Sequence, residues 1–498
     1  MLFLTVHQNR PLVPTLVPKP LFPSPAAPPP RKEASYMSVY RLFNRSYRNY
    51  VHDSEILRTL NIIILSVAVG MFLFTIQGGV AFVGFASALG AGEFAFGLIS
   101  ALPILAGLLQ LYVSYLAVKT GKYKRMFLIG GIIQRVSWIT IAFIPYIFPV
   151  ESSRMWSLIV LVTLAAMAGS FVVISHMTLM GSVIPIEVRG RYITARQKVC
   201  TAISLLVGLG VAFVLDGVQG FLGYTIVFAI GGIAGLIDIL MYAGIKFSII
   251  PNKPEGFSLL TGMKACFTSP VTRNYLLFWT VWSFAINISA PFFNKYAIDK
   301  LDLSYTSIII FGQIVSQTLA LVVISRWGVF LDKYGSVPML MISATISTLG
   351  GFVWLFAVPG SVVPLLLFNI IGGIFWCSNE ACMVNMQLSH TPSDGRPAAL
   401  AVYAVFTSIA AAIALICGGA LLETLSPVMD RLAISFAGTP FDNYKLVFCI
   451  AAVLRIAVVF IFLPRVWNEK EMSLREAYAK ILGDMGRRLR YEFARFRR

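Results

Sequence analysis

Charged residues are scarce in this chain of 498 residues. Asp, Glu, Lys and Arg together make up 12% of the positions, whereas hydrophobic residues make up 57%. A soluble domain carries about twice that share of charge. The mean hydropathy is +0.79. This composition excludes an ordinary soluble globular protein and indicates a chain that lies largely within a membrane.

The residues of several common chemistries are also sparse. The sequence has no GxxxxGK[ST] phosphate loop, no CxxC pair among its six cysteines and no evident Ser-His-Asp arrangement. The sequence therefore contains no motif that would indicate an ATP-driven cycle, a metal site or a redox site. We expect no cofactor, no bound metal and no enzymatic activity. The four histidines are scattered at His7, His52, His176 and His390.

Long apolar runs fill most of the chain. A helix needs roughly 20 apolar residues to cross a bilayer, and twelve runs reach that length. They are too long and too continuously apolar for the strands of a membrane barrel. The sequence therefore predicts an all-α integral membrane protein with twelve transmembrane helices. Numbered 1 to 12, the runs cover about 59–83, 94–117, 126–148, 156–184, 199–219, 223–245, 274–297, 305–325, 337–358, 362–388, 398–422 and 444–463.

The basic residues are distributed unevenly between the connecting loops. Of 40 Lys and Arg, 33 fall in the termini and the even-numbered loops, and two fall within runs. Basic loops stay on the cytoplasmic side, so we expect both termini in the cytoplasm and a multi-pass protein of the cell membrane. We attribute the net charge of +18 to this topology and to anionic lipid rather than to nucleic acid. The odd-numbered loops hold Arg154, Lys295, Lys300, Arg431 and Lys445.

Composition divides the chain into six segments. Residues 1–36 are a Pro-rich extension that we expect to be disordered, and residues 37–58 are a basic, aromatic juxtamembrane segment. Two membrane halves, 59–245 and 274–465, are joined by a cytoplasmic linker, 246–273. Residues 466–498 read as a basic cytoplasmic helix that binds anionic lipid.

The two halves repeat each other at an offset of 207 residues. The loop after run 4 ends Pro185 to Arg189 with the pattern Pro-x-acid-x-Arg, and the loop after run 10 repeats that pattern and ends at Arg396. The same offset relates Asp216 to Glu423, near the ends of runs 5 and 11. We expect these two acids to be solvated or to cap helices. A repeat at half-length is typical of secondary transporters.

A second pair of loops carries a glycine motif. Residues 328–335 read GVFLDKYG between runs 8 and 9, and the loop after run 2 keeps the second glycine and basic residues, with Val118 where the acid would be. The first of these closely resembles the cytoplasmic GxLaDrxG motif of the major facilitator superfamily. The predicted conformational gate comprises Gly328, Asp332, Lys333, Gly335, Gly121, Lys122, Arg189 and Arg396.

The resemblance to the major facilitator superfamily implies two pseudo-symmetric six-helix bundles around a central cavity. It implies a monomeric secondary active transporter that moves a small solute by alternating access, driven by a proton or cation gradient. Three alternatives remain. One is an uncoupled facilitator, and another is a membrane sensor or scaffold on a transporter fold. The third, a polytopic membrane enzyme, would need paired acids or histidines near one leaflet, and none stands out.

Polar groups inside the runs are the candidate site residues, because each is costly in hydrocarbon. Glu380, in run 10, lies near mid-membrane and is the first candidate for proton or cation coupling. In the superfamily, helices 1, 4, 7 and 10 line the cavity, which adds polar residues of those runs. Gly78 and Gly79 in run 1 and Pro291 in run 7 predict a matched pair of broken helices. The other candidate cavity residues are Asn379, His176, Gln77, Asn287 and Asn294.

Overall fold

A computed structural model describes residues 54–185, 188–245, 264, 266–391, 396–436 and 438–466, without the side chains of residues 388, 396 and 397. The predicted extension 1–36, most of the juxtamembrane segment and the C-terminal basic helix lie outside the described residues. The same is true of most of the linker 246–273.

The first half contains helices α1 to α6, and α1 and α2 are each interrupted once. A short helix, Ile144–Ile147, precedes α4, and a 3₁₀ turn, Tyr242–Gly244, follows α6. The bounds are α1 Ser54–Gln77 continued by Val80–Ala88, α2 Glu93–Gly107 continued by Leu109–Thr120, α3 Tyr123–Ala142, α4 Glu151–Val183, α5 Arg189–Gly217 and α6 Phe221–Met241.

The second half contains α7 to α12 and a two-residue antiparallel hairpin, β1 Ser435–Phe436 with β2 Thr439–Pro440, before α12. 3₁₀ turns, Gly351–Phe356 and Leu463–Val466, follow α9 and α12. The bounds are α7 Pro270–Asn287 continued by Phe292–Asp299, α8 Tyr305–Tyr334 with a π-helical turn at Ile308–Ile314, α9 Ser336–Gly350, α10 Val363–Ser389, α11 Arg396–Leu432 and α12 Asn443–Ile461.

Eleven of these helical spans in the described residues are long and apolar enough to cross a membrane. The remaining helix, α3, has 20 residues and occupies the third place in the bundle. It is less apolar because it carries Lys124, Arg125 and Arg135. The protein is therefore an integral, multi-pass membrane protein with the predicted twelve-helix bundle.

The helices of the two halves pack in the same scheme. In the first half, α1 contacts α5 and α6, α2 contacts α4, and α3 contacts α4 and α6. In the second half, α7 contacts α11 and α12, α8 contacts α10, and α9 contacts α10 and α12. Adding six to each helix number of the first set gives the second. Arg189 and Arg396, which the repeat pairs, each begin a helix, α5 and α11.

Helices α1 and α7 both break near the same end of the bundle. Helix α1 stops at Gln77 and restarts after Gly78 and Gly79, and α7 stops at Asn287 and restarts after Pro291. The break leaves backbone carbonyls of α7 without helical partners. Carbonyls freed by such a break are commonly found facing a cavity in membrane proteins.

Two carbonyls next to the break, those of Ala285 and Ile286, face the interior of the second half. Arg455 of α12 donates to the carbonyls of Ala285 and Ile286 at 3.1 and 3.0 Å and to Ser289 Oγ at 2.9 Å. Its side chain is buried. These bonds satisfy a charge that would otherwise be costly inside the bundle, and they fix the shape of the break.

The other buried charges of the spans are also bonded within the bundle. Arg135 of α3 pairs with Asp238 of α6 at 3.2 Å, and Ser66 of α1 donates to the same carboxylate. Lys295 and Lys445 stand at the ends of runs 7 and 12 and were counted above with the adjoining odd-numbered loops, but they are buried in α7 and α12. Each has hydrogen-bond acceptors at 3.1 Å or less. The odd-numbered loops are therefore poorer in basic residues than the sequence indicated.

Candidate functional site: a central cavity between the halves

A large cavity among the described residues lies inside the first half and reaches α7. We call it the first chamber. It has a volume of about 580 Å³ and is lined by α1, α2, α3 and α4, with Pro291 and Asn294 from α7. The break in α1 at Gly78 and Gly79 forms part of its wall. Such breaks expose backbone to a cavity rather than to lipid, which is where membrane proteins tolerate them.

Two further chambers continue from the first toward the loops after α4 and α8. The second, about 420 Å³, shares Phe74, Gly78, Gly79 and Asn294 with the first and adds residues of α8 and α10. The third, about 350 Å³, shares Ser204 and Gln317 with the second and lies between α5 and α8. The three chambers are therefore neighbours, each sharing lining residues with the next, and we refer to them together as the cavity.

The polar surface of the cavity consists mainly of amide side chains. Gln77 and Gln317 each leave one buried amide atom, Nε2 and Oε1 respectively, without a hydrogen-bond partner in the described part of the chain. None of the described residues that line the three chambers is charged. The lining amides are Gln77, Gln110, Gln134, Gln197, Asn294, Gln313, Gln317 and Asn369.

Two carboxylates join the halves at one end of the cavity, which we call the closed end. The carboxylate oxygens of Asp216, on α5, each accept a backbone N–H at the start of α8, from Tyr305 and Thr306, at 2.8 Å. Glu423, on α11, accepts the backbone N–H of Phe94 at the start of α2 at 3.1 Å. The free N–H groups of a first helical turn favour a negative charge. Each acid therefore caps an interface helix of the opposite half.

Other hydrogen bonds reinforce the closed end. Lys295 of α7 donates to Ser87 Oγ and to the carbonyl of Ala91, both at 3.0 Å, and pairs with Asp299 at 2.7 Å. The hydroxyls of Tyr224 and Tyr305 lie 2.5 Å apart. All of these contacts sit on the same side of the membrane as the capping carboxylates, so this end is sealed by both packing and polar bonds.

Helices α2 and α11 approach each other closely at the closed end, and glycines allow this. A Cβ atom on Gly97 would lie 2.5 Å from the backbone oxygen of Leu415, and one on Gly419 would lie 2.5 Å from that of Glu93. Even the single methyl group of alanine at either position therefore cannot be accommodated without moving a helix. Away from this contact the halves diverge, because the third chamber separates α5 from α8. We call that side the open end.

Two of the predicted cavity residues line the cavity. Gln77 lies at the end of the first segment of α1 and lines the first chamber. Asn294, in the second segment of α7, lines both the first and the second chamber. Helices α1 and α7 correspond to each other in the repeat, and both contribute residues near their breaks to the first chamber.

Three other predicted cavity residues lie elsewhere. Asn379 is fully buried against α9, where Ser343 Oγ donates to its side-chain oxygen at 2.5 Å. His176 Nε2 lies 3.0 Å from Tyr242 Oη, inside the first half. Asn287 donates to the carbonyl of Ser283 in its own helix at 2.8 Å. Each polar group has found a partner within its half, so burial does not require these side chains to face the cavity.

Glu380 is exposed, and Trp376 Nε1 donates to its Oε1 at 3.2 Å. It follows Asn369, which lines the second chamber, by eleven residues. Eleven residues make about three helical turns, so Glu380 lies on the same side of α10 and about 16 Å nearer the open end. Glu380 is therefore on the side of α10 that lines the second chamber, and it lies outside the three chambers themselves.

The predicted gate residues lie at the open end. Gly121 ends α2 with φ +64° and Gly335 ends α8 with φ +82°, backbone angles that favour glycine in these tight turns. Asp332 is exposed and has no hydrogen bond or ion pair with the described residues. Lys122, Lys333 and Arg189 are also exposed, and Gly328 lies within α8. The side chain of Arg396 is outside the described residues.

The sequence reasoning missed most of the lining amides because it searched first for ionisable groups. An amide in an apolar run is a weaker signal, since it can hydrogen-bond to its own helix. The pattern was nevertheless readable, because Gln313 and Gln317 are one turn apart on α8. Gln313 lies within the π-helical turn, and Gln317 follows that turn. Such turns occur often at functional sites.

A membrane bundle of two similar six-helix halves, with a cavity at their contact and breaks in paired helices, has the architecture of a secondary transporter. Residues 317–483 match the model of the Major Facilitator Superfamily. No curated protein is similar enough in sequence to be matched.

Solved transporters share the whole bundle. The nucleoside transporter NupG superposes with a TM-score of 0.59 at 15% identity, covering 84% of this chain and 100% of its own. A bacterial homologue of the human lysosomal transporter Spinster, in an inward-facing conformation, gives 0.62 at 12% identity, covering 84% and 100%. A D-xylose-proton symporter gives 0.61 at 15% identity, covering 81% and 98%. The resemblance seen in the sequence is therefore supported by the family match over residues 317–483, and the chain has the fold of these solved transporters.

Proposed function

We propose that the protein carries a small solute across the cell membrane by alternating access. The observation that supports this most directly is the asymmetry of the cavity. The halves are clamped at the closed end by Asp216 and Glu423, and they diverge toward the open end. Rocking the halves about the cavity would exchange the two ends. Neighbours whose names describe nucleoside and sugar transporters support a small polar solute.

The distribution of basic residues supports an orientation for this state. The termini and even-numbered loops, which carry most of the Lys and Arg, belong at the cytoplasmic face by the positive-inside rule. The closed end then faces outside, and the open end faces the cytoplasm. The structure would thus be an inward-open state with both termini cytoplasmic.

We further propose that transport is coupled to a proton or cation gradient through Glu380. This acid lies on the cavity side of α10, on the path to the open end, where it can exchange an ion with solvent in this state. The uncoupled facilitator is the competing function, and the uncharged lining of the three chambers is the observation that favours it. A test of Glu380 separates the two and is given in the Discussion.

Cysteine labelling in proteoliposomes tests both alternating access and orientation. Native cysteines are first replaced by serine, since Cys200 lines the third chamber. We expect Ser100→Cys, in the first chamber, to react with an impermeant maleimide from either side, and conditions that raise labelling from one side should lower it from the other. Labelling from one side under all conditions would contradict alternating access.

Two loop positions serve as controls for orientation in the same experiment. Gly92→Cys, at the closed end, should react only from outside. Gly395→Cys should react only from inside, and Lys122→Cys, a described open-end position, should agree with it, since Gly395 lies outside the described residues. The reverse pattern would invert the orientation while leaving the transport proposal intact.

The exposed acid of the glycine motif provides a test of the cytoplasmic gate. We expect Asp332→Asn to slow the interconversion of the two states, because Asp332 has no partner among the described residues of the open end and would gain one when that end closes. A simple capping role would instead lower stability by about 0.5–2 kcal/mol with normal transport. Transport rate and melting temperature, measured together, separate the two. An unchanged transport rate would reject the gate.

A further inference from the structure

We infer that the cavity is built for a small, uncharged solute that presents a ring face and several hydrogen-bonding groups. The inference specifies the substrate class of the proposed transporter and so rests on that function. It starts from two amides that line the chambers, Gln77 and Gln317, each of which holds one buried atom without a hydrogen-bond partner among the described residues. A buried polar atom without a partner is costly, and a rotation of the side-chain amide that turned this atom toward a bound ligand would remove that cost.

The two unsatisfied atoms are of opposite kind. Gln77 Nε2 is a donor and Gln317 Oε1 is an acceptor. A solute that both accepts and donates hydrogen bonds, through hydroxyl, carbonyl or amide groups, complements them. Asn294, between the first and second chambers, offers a further amide close to both groups of lining residues.

The absence of charge in the lining argues against an ionic solute. The charged side chains that the spans bury are bonded elsewhere: Arg135 to Asp238, and Arg455 to carbonyls of α7. A charged ligand entering a chamber with no opposite charge in its described lining would lose hydration without compensation. Glu380 lies about 16 Å beyond Asn369, too far to serve as a counter-ion in the second chamber.

Aromatic side chains supply the surface for a ring. Phe74 is 47% exposed and lines both the first and the second chamber. Trp138 lies at the wall of the first chamber and is held in place by Phe228, which stacks on it, and by Phe82, which meets it edge-on. A ring face packs well against such side chains. The volumes of about 580 and 420 Å³ are within the range of small-molecule sites.

Binding to the purified full-length protein tests the assignment with matched probes. Glucose is compared with glucuronate and glucosamine, which differ mainly in charge, and uridine is compared with uridine monophosphate. A ligand that binds the native state raises the melting temperature, and at equal concentrations a tighter ligand raises it more, in a logarithmic dependence on affinity. We expect at least one neutral probe to bind, and its charged counterparts to bind at least tenfold more weakly. Binding of charged probes alone, or of no neutral probe, would overturn the inference.

Substitutions then locate the site. Gln77→Leu and Gln317→Leu keep the approximate size of the side chain and remove the amide, and each should weaken binding of the neutral probe about tenfold or more. Gln219→Leu, at an exposed loop position between α5 and α6, is the matched control and should leave affinity unchanged. Equal affinity in all three variants would contradict a site at these amides.

Two outcomes distinguish this inference from the proposed function. If Ser100→Cys is labelled alternately from both sides but only charged probes bind, the protein is a transporter and the substrate class is wrong. If a neutral probe binds through Gln77 and Gln317 but labelling stays on one side, the site is correct and the transport proposal fails.

Discussion

Glu380→Gln is expected to abolish gradient-driven accumulation of solute while leaving exchange of the same solute across the membrane intact. Glutamine has nearly the same shape, and its oxygen can still accept the hydrogen bond from Trp376. What is lost is the ability to bind and release a proton or to hold a cation. Accumulation should fall to the level measured without a gradient, and counterflow should remain within about twofold of the native rate.

The measurement uses proteoliposomes with an imposed proton gradient and the solute identified by the binding screen. Asp430→Asn is the control, because it also neutralises an exposed carboxylate, near the C-terminal end of α11. This variant should accumulate solute normally. If Glu380→Gln accumulates solute with the native pH dependence, Glu380 has a structural role. The coupling proposal would then have to move to Asp216, Glu423 or His176, or give way to an uncoupled facilitator.

A methyl group added at the α2–α11 contact should destabilise the conformation seen here, in which the closed end is sealed. In Gly97→Ala or Gly419→Ala, the new Cβ would meet a backbone oxygen at about 2.5 Å, so the two helices must separate. Labelling of Ser100→Cys should then shift from the open end to the closed end. The double variant should be held in that state, with transport reduced at least tenfold.

The change in melting temperature separates a glycine that is needed for the contact from one that is not. At a helix position with free space, Gly→Ala stabilises by about 0.8–1 kcal/mol. Gly372→Ala, in α10, meets no atom within 4 Å and is the matched control. It should raise the melting temperature slightly and leave labelling unchanged. If Gly97→Ala behaves like this control, the glycine contact does not hold the closed end.

The bundle was predictable from the sequence because a bilayer leaves few choices. Each span must satisfy its backbone internally and reach across the hydrocarbon, so length and apolarity alone indicate the helices. The repeat was also readable, since Arg189 and Arg396 begin paired helices. The third helix shows the limit of hydropathy: Arg135 lowers its apolarity, and only its partner Asp238 explains why it is buried.

The site was less predictable, because an intramembrane polar group can be satisfied within its own half. Asn379 and His176 found partners on neighbouring helices, and the sequence could not show which side of the helix meets a partner. Gln77 and Asn294 were found because they adjoin the residues that break α1 and α7. A break signals close backbone contact with a cavity, and it carries more information than polarity alone.

The two carboxylate caps at the closed end are related to each other in the same way as equivalent contacts in a symmetric homodimer. Asp216 reaches from α5 to the start of α8, and Glu423, its repeat partner, reaches from α11 to the start of α2. The same patch on each half thus meets its counterpart, as in an isologous contact between identical subunits. Full opening at this end therefore requires the release of both caps.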